Sequence, residues 1–305
     1  METPRKIIRR SIFTFLQNYL FFTASPSLLI LPFSIAILLS QSVLPFEIIE
    51  FRLSSLFDSA GFPPNSPFFS FLSLKLSETL SSSVLTLPFA ISFFLFAKSS
   101  IIHALSDQKT SFSSTLSLHS PLLITHLWNS LLMISANSAA FSLFFLAFNL
   151  VPSTPNSTFF LTIGGAVLYS VIVANALMIS NLALIVSGME NSSGYLAILK
   201  ACVLIKGKAS TALILALPLN LCLAATEALF QYRVSRNRNP CNSLLVFEGL
   251  LIGYLYSILL VLDTIVGCMF YNNCKSFLGT EEELYYYRIE IAEEAKDLKF
   301  QEITM

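Results

Sequence analysis

Charge is scarce in this chain. Asp, Glu, Lys and Arg make up 12% of its residues, about half the share typical of soluble domains. The apolar fraction is 54%, more than a water-facing surface of this size hides. Acidic and basic residues number 18 each, so there is no basic surplus to neutralise phosphates and nucleic acid is excluded as a partner. The five cysteines show no CxxC spacing, which argues against a disulfide framework. Histidines number three. His103 and Asp107 stand four apart, and His119 and His126 seven apart, without a four-ligand pattern, so no metal and no cofactor is expected. GxSxG, HExxH, P-loop and Rossmann fingerprints are missing, as is any carboxylate pair in a soluble domain. A cleavable leader is not expected either. Arg5, Lys6, Arg9 and Arg10 precede an aromatic stretch from Ile12 to Phe22 with no small-residue cleavage site.

What fills the chain instead is apolar sequence in long runs. Each run has about 20 residues or more, enough to cross roughly 30 Å of hydrocarbon. Spans are expected at 26–45, 80–102, 122–149, 158–187, 210–230 and 244–270. The fold class is therefore all-α, a polytopic membrane helical bundle of about six spans with interfacial amphipathic helices. Its organisation reads as an N-terminal interfacial helix (1–25), the transmembrane bundle (26–271) and an acidic tail (272–305). Val151-Pro-Ser-Thr-Pro-Asn156 joins the third and fourth spans so tightly that they form an antiparallel hairpin.

Basic residues give the orientation. Thirteen fall on one side: the four near the N-terminus, Lys98 and Lys109, Lys200, Lys206 and Lys208, and Lys275, Arg288, Lys296 and Lys299. Five fall on the other: Arg52, Lys75, Arg233, Arg236 and Arg238. The bias puts both termini in the cytosol. Endoplasmic reticulum and plasma membrane are not distinguished. Two sequons, Asn156-Ser-Thr on the lumenal side and Asn191-Ser-Ser on the cytosolic side, read as chance triplets.

Residues 5–22 place Ile8, Ile12, Phe15, Tyr19 and Phe22 at helical spacing beside the basic cluster. Arg5, Lys6, Arg9 and Arg10 are then lipid-headgroup candidates on a helix lying in the interface; a plain cationic flank is the alternative. Between spans one and two, Gly61-Phe-Pro-Pro-Asn-Ser-Pro67 breaks the chain, and the aromatics from Phe68 onward suggest an interfacial segment. In the tail, Thr280-x-x-Glu283 is a capping box. The following helix is acidic, so it stays in water and offers a surface to a protein partner.

Inside the spans, polar residues carry the interest. Asp263 falls toward the cytosolic end of the sixth span. A carboxylate there needs a partner, a proton or water. It is either a proton or cation site, or it pairs with a neighbouring helix, for instance through Lys206 or Lys208. Asn129, Asn137, Asn175, Asn181 and Asn220 lie in other spans and suit interhelical hydrogen bonds. Gly249, Gly253 and Ser257 form a small-residue stripe for close helix packing. Pro32, Pro88 and Pro218 should kink their spans.

Met189-Glu190, Gly194, Ala197, Lys200, Leu204 and Lys206-Gly207-Lys208, with the ending Thr264-Ile-Val-Gly-Cys-Met-Phe-Tyr271 and Cys274-Lys275, form a recognisable pattern. It resembles a plant family of multi-pass transmembrane proteins of unknown function. It is also similar, more distantly, to the membrane domain of some bacterial glycerophosphodiester phosphodiesterases. The resemblance implies a helical bundle with cytosolic termini in a plant membrane. The catalytic domain of the bacterial proteins has no counterpart here. Read by itself, the connector around Lys200, Lys206 and Lys208 is an amphipathic helix on the cytosolic leaflet, making these lysines headgroup candidates.

Three functions compete: a non-catalytic membrane protein that associates with lipid or organises partners, a transporter or channel with Asp263 in its path, and a lipid-modifying enzyme, ranked last. A continuous polar cavity reaching Asp263 favours transport, and a sealed bundle favours the first. The charge bias predicts that reporter tags at Met1 and Met305 respond from the same, cytosolic side. A C-terminal tag on the opposite side would show that the number of crossings is odd.

Overall fold

In the computed structural model, residues 3–43, 51–55, 59, 67–106, 112–150, 155–235 and 243–303 are described, and among them there is no strand. The helices are α1 (Pro4–Gln17), α2 (Tyr19–Ala24), α3 (Pro26–Val43), α4 (Pro67–Phe89), α5 (Leu95–Leu105), α6 (Phe112–Leu150), α7 (Pro155–Glu190), α8 (Tyr195–Ile205), α9 (Ala209–Phe230) and α10 (Ser243–Ile303). Four of them open on proline, whose missing N–H costs nothing at a first helical turn. Inside a helix proline disturbs the ladder. Directly after Pro88 the chain makes a π-helical turn, Ala90–Phe94, before resuming as α5.

Serine is abundant for a membrane chain, and the helices show how it is tolerated. In hydrocarbon a hydroxyl needs an acceptor. Ser11, Ser34, Ser81 and Thr264 each donate to the carbonyl four residues back, at 2.7–3.2 Å. The polar group is satisfied by its own helix.

Among the described residues five segments are long and apolar enough to cross a membrane: Tyr19–Ser40, Ser81–Leu105, Ile163–Glu190, Ala209–Val234 and Leu245–Phe277. The expected span at 122–149 lies within α6 (Phe112–Leu150), part of which falls outside the described side chains. With 39 residues, α6 extends about 58 Å. It runs antiparallel to α7, its most extensive neighbour. Thr125 Oγ1 donates to Ser187 Oγ at 3.0 Å, Asn129 Nδ2 to the Ser180 carbonyl at 2.8 Å, and Tyr169 OH to Asn137 Oδ1 at 2.9 Å. Helix α6 is thus tied to α7 along its length by side-chain hydrogen bonds.

Helix α10 is the hub, touching α1, α3, α5, α7 and α9. Its small-residue stripe faces neighbours: a Cβ at Gly253 would stand 3.1 Å from Ile35 of α3, one at Gly249 3.5 Å from Val234, and Ser257 is buried. The largest apolar cluster joins Ile7 of α1, Ile102, Leu122, residues 182–186, α8 and residues 266–274 of α10 at one end of the bundle. A smaller one, with Leu38, Phe230, Ile252 and Tyr256, closes the other end.

Several boundaries differ from the sequence reading. The first span begins at Tyr19 rather than 26, because α2 already buries Phe22. α1 turns Ile7 and Ser11 inward, while Ile12, Phe13 and Leu16 face outward. Helix α4 starts at Pro67, so the aromatics after it open a helix instead of a loop. Nothing interrupts α10 at Thr280, so the capping box starts no helix there.

Enlarging Gly253 to Leu should overpack the α3 contact and cost about 2 kcal/mol. Gly249→Ala, at ordinary van der Waals distance, should stay within about 0.5 kcal/mol of the parent. Unfolding in detergent measures both; equal losses would contradict the assigned packing.

Candidate functional site: an intramembrane cleft

Between α7, α9 and α10 lies a cavity of about 490 Å³, within the range of ligand sites. Its walls are apolar: Leu177, Met178, Leu182 and Ile185 from α7, Leu213, Leu215, Leu217 and Leu221 from α9, and Val266 and Phe270 from α10. Leu177, Leu213, Leu217 and Leu221 are exposed at the rim, so the mouth opens sideways, where lipid would be. Lys98, Asn181, Asn220, Asp263 and Thr264 supply the polar lining.

Three of the four intramembrane candidates therefore converge. Asn175 does not join them; its amide donates to the Val171 carbonyl at 2.9 Å. Asn129 Nδ2 donates across to α7, and Asn137 accepts from Tyr169 of α7 while its own Nδ2 donates to the Met133 carbonyl of α6. Among the described residues, Asn181, Asn220 and Asp263 make no side-chain hydrogen bond and no contact ion pair. All three line the cleft; elsewhere Asn129 Oδ1, Ser180 Oγ, Ser192 Oγ and Lys208 Nζ are also buried without a hydrogen-bond partner.

Asp263 has a charge partner in Lys98 of α5 rather than in Lys206 or Lys208. Lys98 is only 2% exposed, with its ammonium 4.9 Å from the centre of the Phe94 ring. Its assignment to a loop is corrected: α5 continues to Leu105, and Leu95, Ala97, Ile101 and Ile102 around it are buried. The signal was present, since Lys98 falls inside the expected 80–102 span between apolar neighbours. The depth of Asp263 also changes. Its span runs to Phe277, because Phe270, Tyr271 and Cys274 stay buried on the same helix. That puts Asp263 within about 3 Å of the span's midpoint, not toward one end.

A second polar cluster sits at the end of the bundle where α7 meets α8 and α10. Glu190 accepts from Lys200 Nζ at 2.7 Å and from Tyr271 OH at 2.6 Å, and Lys275 Nζ stands 3.6 Å away. Lys275 also donates to Tyr271 OH at 3.3 Å. The turn before α8 is fixed by Gly194, at φ +66, whose N–H donates to Thr125 Oγ1 at 2.9 Å. A side chain there would meet the Trp128 ring at 3.0 Å. Sequence spacing alone did not join these residues; the tertiary fold brings positions 190 and 271 together.

The basic candidates separate by environment. Arg5, Lys6, Arg9 and Arg10 are exposed on α1, and Lys206 is exposed beyond α8. Lys200 is engaged with Glu190. Lys208 is buried, its ammonium 4.5 Å from the Phe277 ring centre. Helix α8 is apolar on both sides: Ala197, Ile198, Ala201, Leu204 and Ile205 face the bundle, and Tyr195, Leu196, Leu199 and Val203 face outward.

Residues 3–283 match a family described as Domain of unknown function (DUF8558). The chain belongs to that family. The family match takes in all the helices that line the cleft and stops within the tail part of α10. No curated protein and no solved structure matches the chain.

Removing the Tyr271 hydroxyl (Tyr271→Phe) should lower stability in detergent by about 1 kcal/mol, the worth of one hydrogen bond. Glu190→Leu should cost more, since it strands Lys200, Tyr271 and Lys275 together. The reverse order would show that Glu190 does not organise this end.

Proposed function

We propose that this membrane protein is non-catalytic and lipid-associated, and that it takes an amphipathic lipid into the cleft between α7, α9 and α10. The observation that carries this reading is the pairing of apolar walls and a lateral mouth with a polar floor whose groups lack protein partners. An apolar occupant would leave those groups unsatisfied, which is costly away from water. A water-filled transport path would need polar lining toward both ends. Leu177, Leu213, Leu217, Leu221 and Phe270 flank the floor instead.

Transport through Asp263 is the second reading. It is favoured by one observation, that Lys98 and Asp263, one basic and one acidic side chain, line the same cleft without direct contact. A proton- or cation-coupled flux in proteoliposomes that disappears in Asp263→Asn would support it.

We further propose that both termini face the cytosol. The exposed Arg5, Lys6, Arg9 and Arg10 lie at the same end as Lys200, Lys206 and Lys275, as an anionic cytosolic leaflet would favour. The acidic tail would then meet a protein partner in the cytosol.

Leu217 lines the cleft mouth at 58% exposure, whereas Ile214, at 55%, is equally exposed but outside the lining. Leu217→Trp should reduce lipid adducts retained in native mass spectrometry, and Ile214→Trp should not. Equal retention by both variants would remove the cleft as the binding place.

A further inference from the structure

Resting on that reading, the depth and charge of the cleft floor narrow the occupant's chemistry. Asn220 and Asp263 each fall within two residues of the midpoint of their spans, Ala209–Val234 and Leu245–Phe277, or about 3 Å along an upright helix. A phospholipid headgroup rests near the edge of the hydrocarbon core, about 15 Å from its centre. Such a lipid entering sideways would lay acyl chain, not phosphate, against the floor. The floor is also neutral in sum, because Lys98 and Asp263 are the one basic and the one acidic side chain of its lining. A net charge brought to that depth would have no counter-charge left to meet it.

What the floor offers is a set of unspent donors and acceptors. The Asn181 and Asn220 amides each present both kinds, and Asp263 presents acceptors. Among the described residues none of the three makes a side-chain hydrogen bond. Thr264 does not compete for a ligand, since its hydroxyl already donates to the Leu260 carbonyl at 3.0 Å. A hydroxyl group donates and accepts at once, so one hydroxyl can satisfy Asp263 and an amide together. We infer that the cleft binds an uncharged, hydroxyl-bearing lipid, with its hydroxyl at the bilayer midplane between Asp263 and Asn220 and its apolar body leaving through the mouth beside Leu217.

The test uses the full chain in nanodiscs and three photoreactive lipids with identical acyl chains: diacylglycerol, phosphatidic acid and phosphatidylcholine. A diazirine close to the glycerol makes labelling report the depth of the head end. Diacylglycerol should label the peptides bearing Asn181, Asn220 and Asp263, and the two phospholipids should not. Asn220→Leu, a change of similar size at an exposed position, should lower that labelling about fivefold, as expected for one hydrogen bond lost. Phospholipid labelling of these peptides at or above the diacylglycerol level would overturn the inference while leaving a lipid-binding cleft in place. So would undiminished diacylglycerol labelling in Asn220→Leu. If no probe labels the cleft, or if Leu217→Trp leaves labelling unchanged, the cleft reading itself fails and this inference falls with it.

Discussion

Hydrocarbon offers no hydrogen bonds, and that constraint orders the rest of the structure. A polar group within the spans must find a partner inside the protein or lose several kcal/mol. Most do so locally. Serine and threonine hydroxyls return to the carbonyl three or four residues earlier, as in Ser77, Ser81 and Thr264. This is how a chain rich in serine remains compatible with lipid.

Polar groups that cannot be served by their own helix determine which helices pair. Helix α6 is joined to α7 through Thr125, Asn129 and Asn137. Glu190 plays the corresponding part at the bundle's end, gathering Lys200 of α8 with Tyr271 and Lys275 of α10. The pair with Lys200 is partly exposed and contributes little alone. Its effect is to fix where α8 lies against α10. Against this background the cleft gathers unspent groups: Asn181, Asn220 and Asp263 share one cavity and, among the described residues, make no side-chain hydrogen bond.

Much of this was legible in the sequence. Long apolar runs fixed the fold class, because length and composition alone decide whether a helix can cross a bilayer. Asp263, Asn181 and Asn220 stand out because polar residues inside such runs are expensive. Their convergence was not legible, since periodicity orders residues around one helix and says nothing about which faces of three helices meet. Lys98 was misjudged for a different reason. A loop charge and a buried charge look alike when counted for orientation, and the distinction rests on where α5 ends. Asp263 was placed too shallow for the same reason, because its depth depends on the last turns before Phe277. Asn175 shows the opposite failure: its residue type matched the others, but its amide closes onto the Val171 carbonyl of its own helix. Residues 44–50, 56–58 and 60–66, with the Gly61–Ser66 part of the break, lie outside the described residues, as do Asp107, Lys109, the 151–154 part of the connector between the third and fourth spans, Arg236 and Arg238.

The central claim is that the three unspent polar side chains exist to meet an occupant of the cleft. The most direct measurement is an electron cryomicroscopy map of the chain in lipid nanodiscs, resolved well enough to show lipid. The account predicts elongated density entering beside Leu217 and ending within hydrogen-bond distance of Asp263 and Asn220. A map in which α7 closes onto α9, with the amides of Asn181 and Asn220 bonded to each other and no density between them, would contradict it.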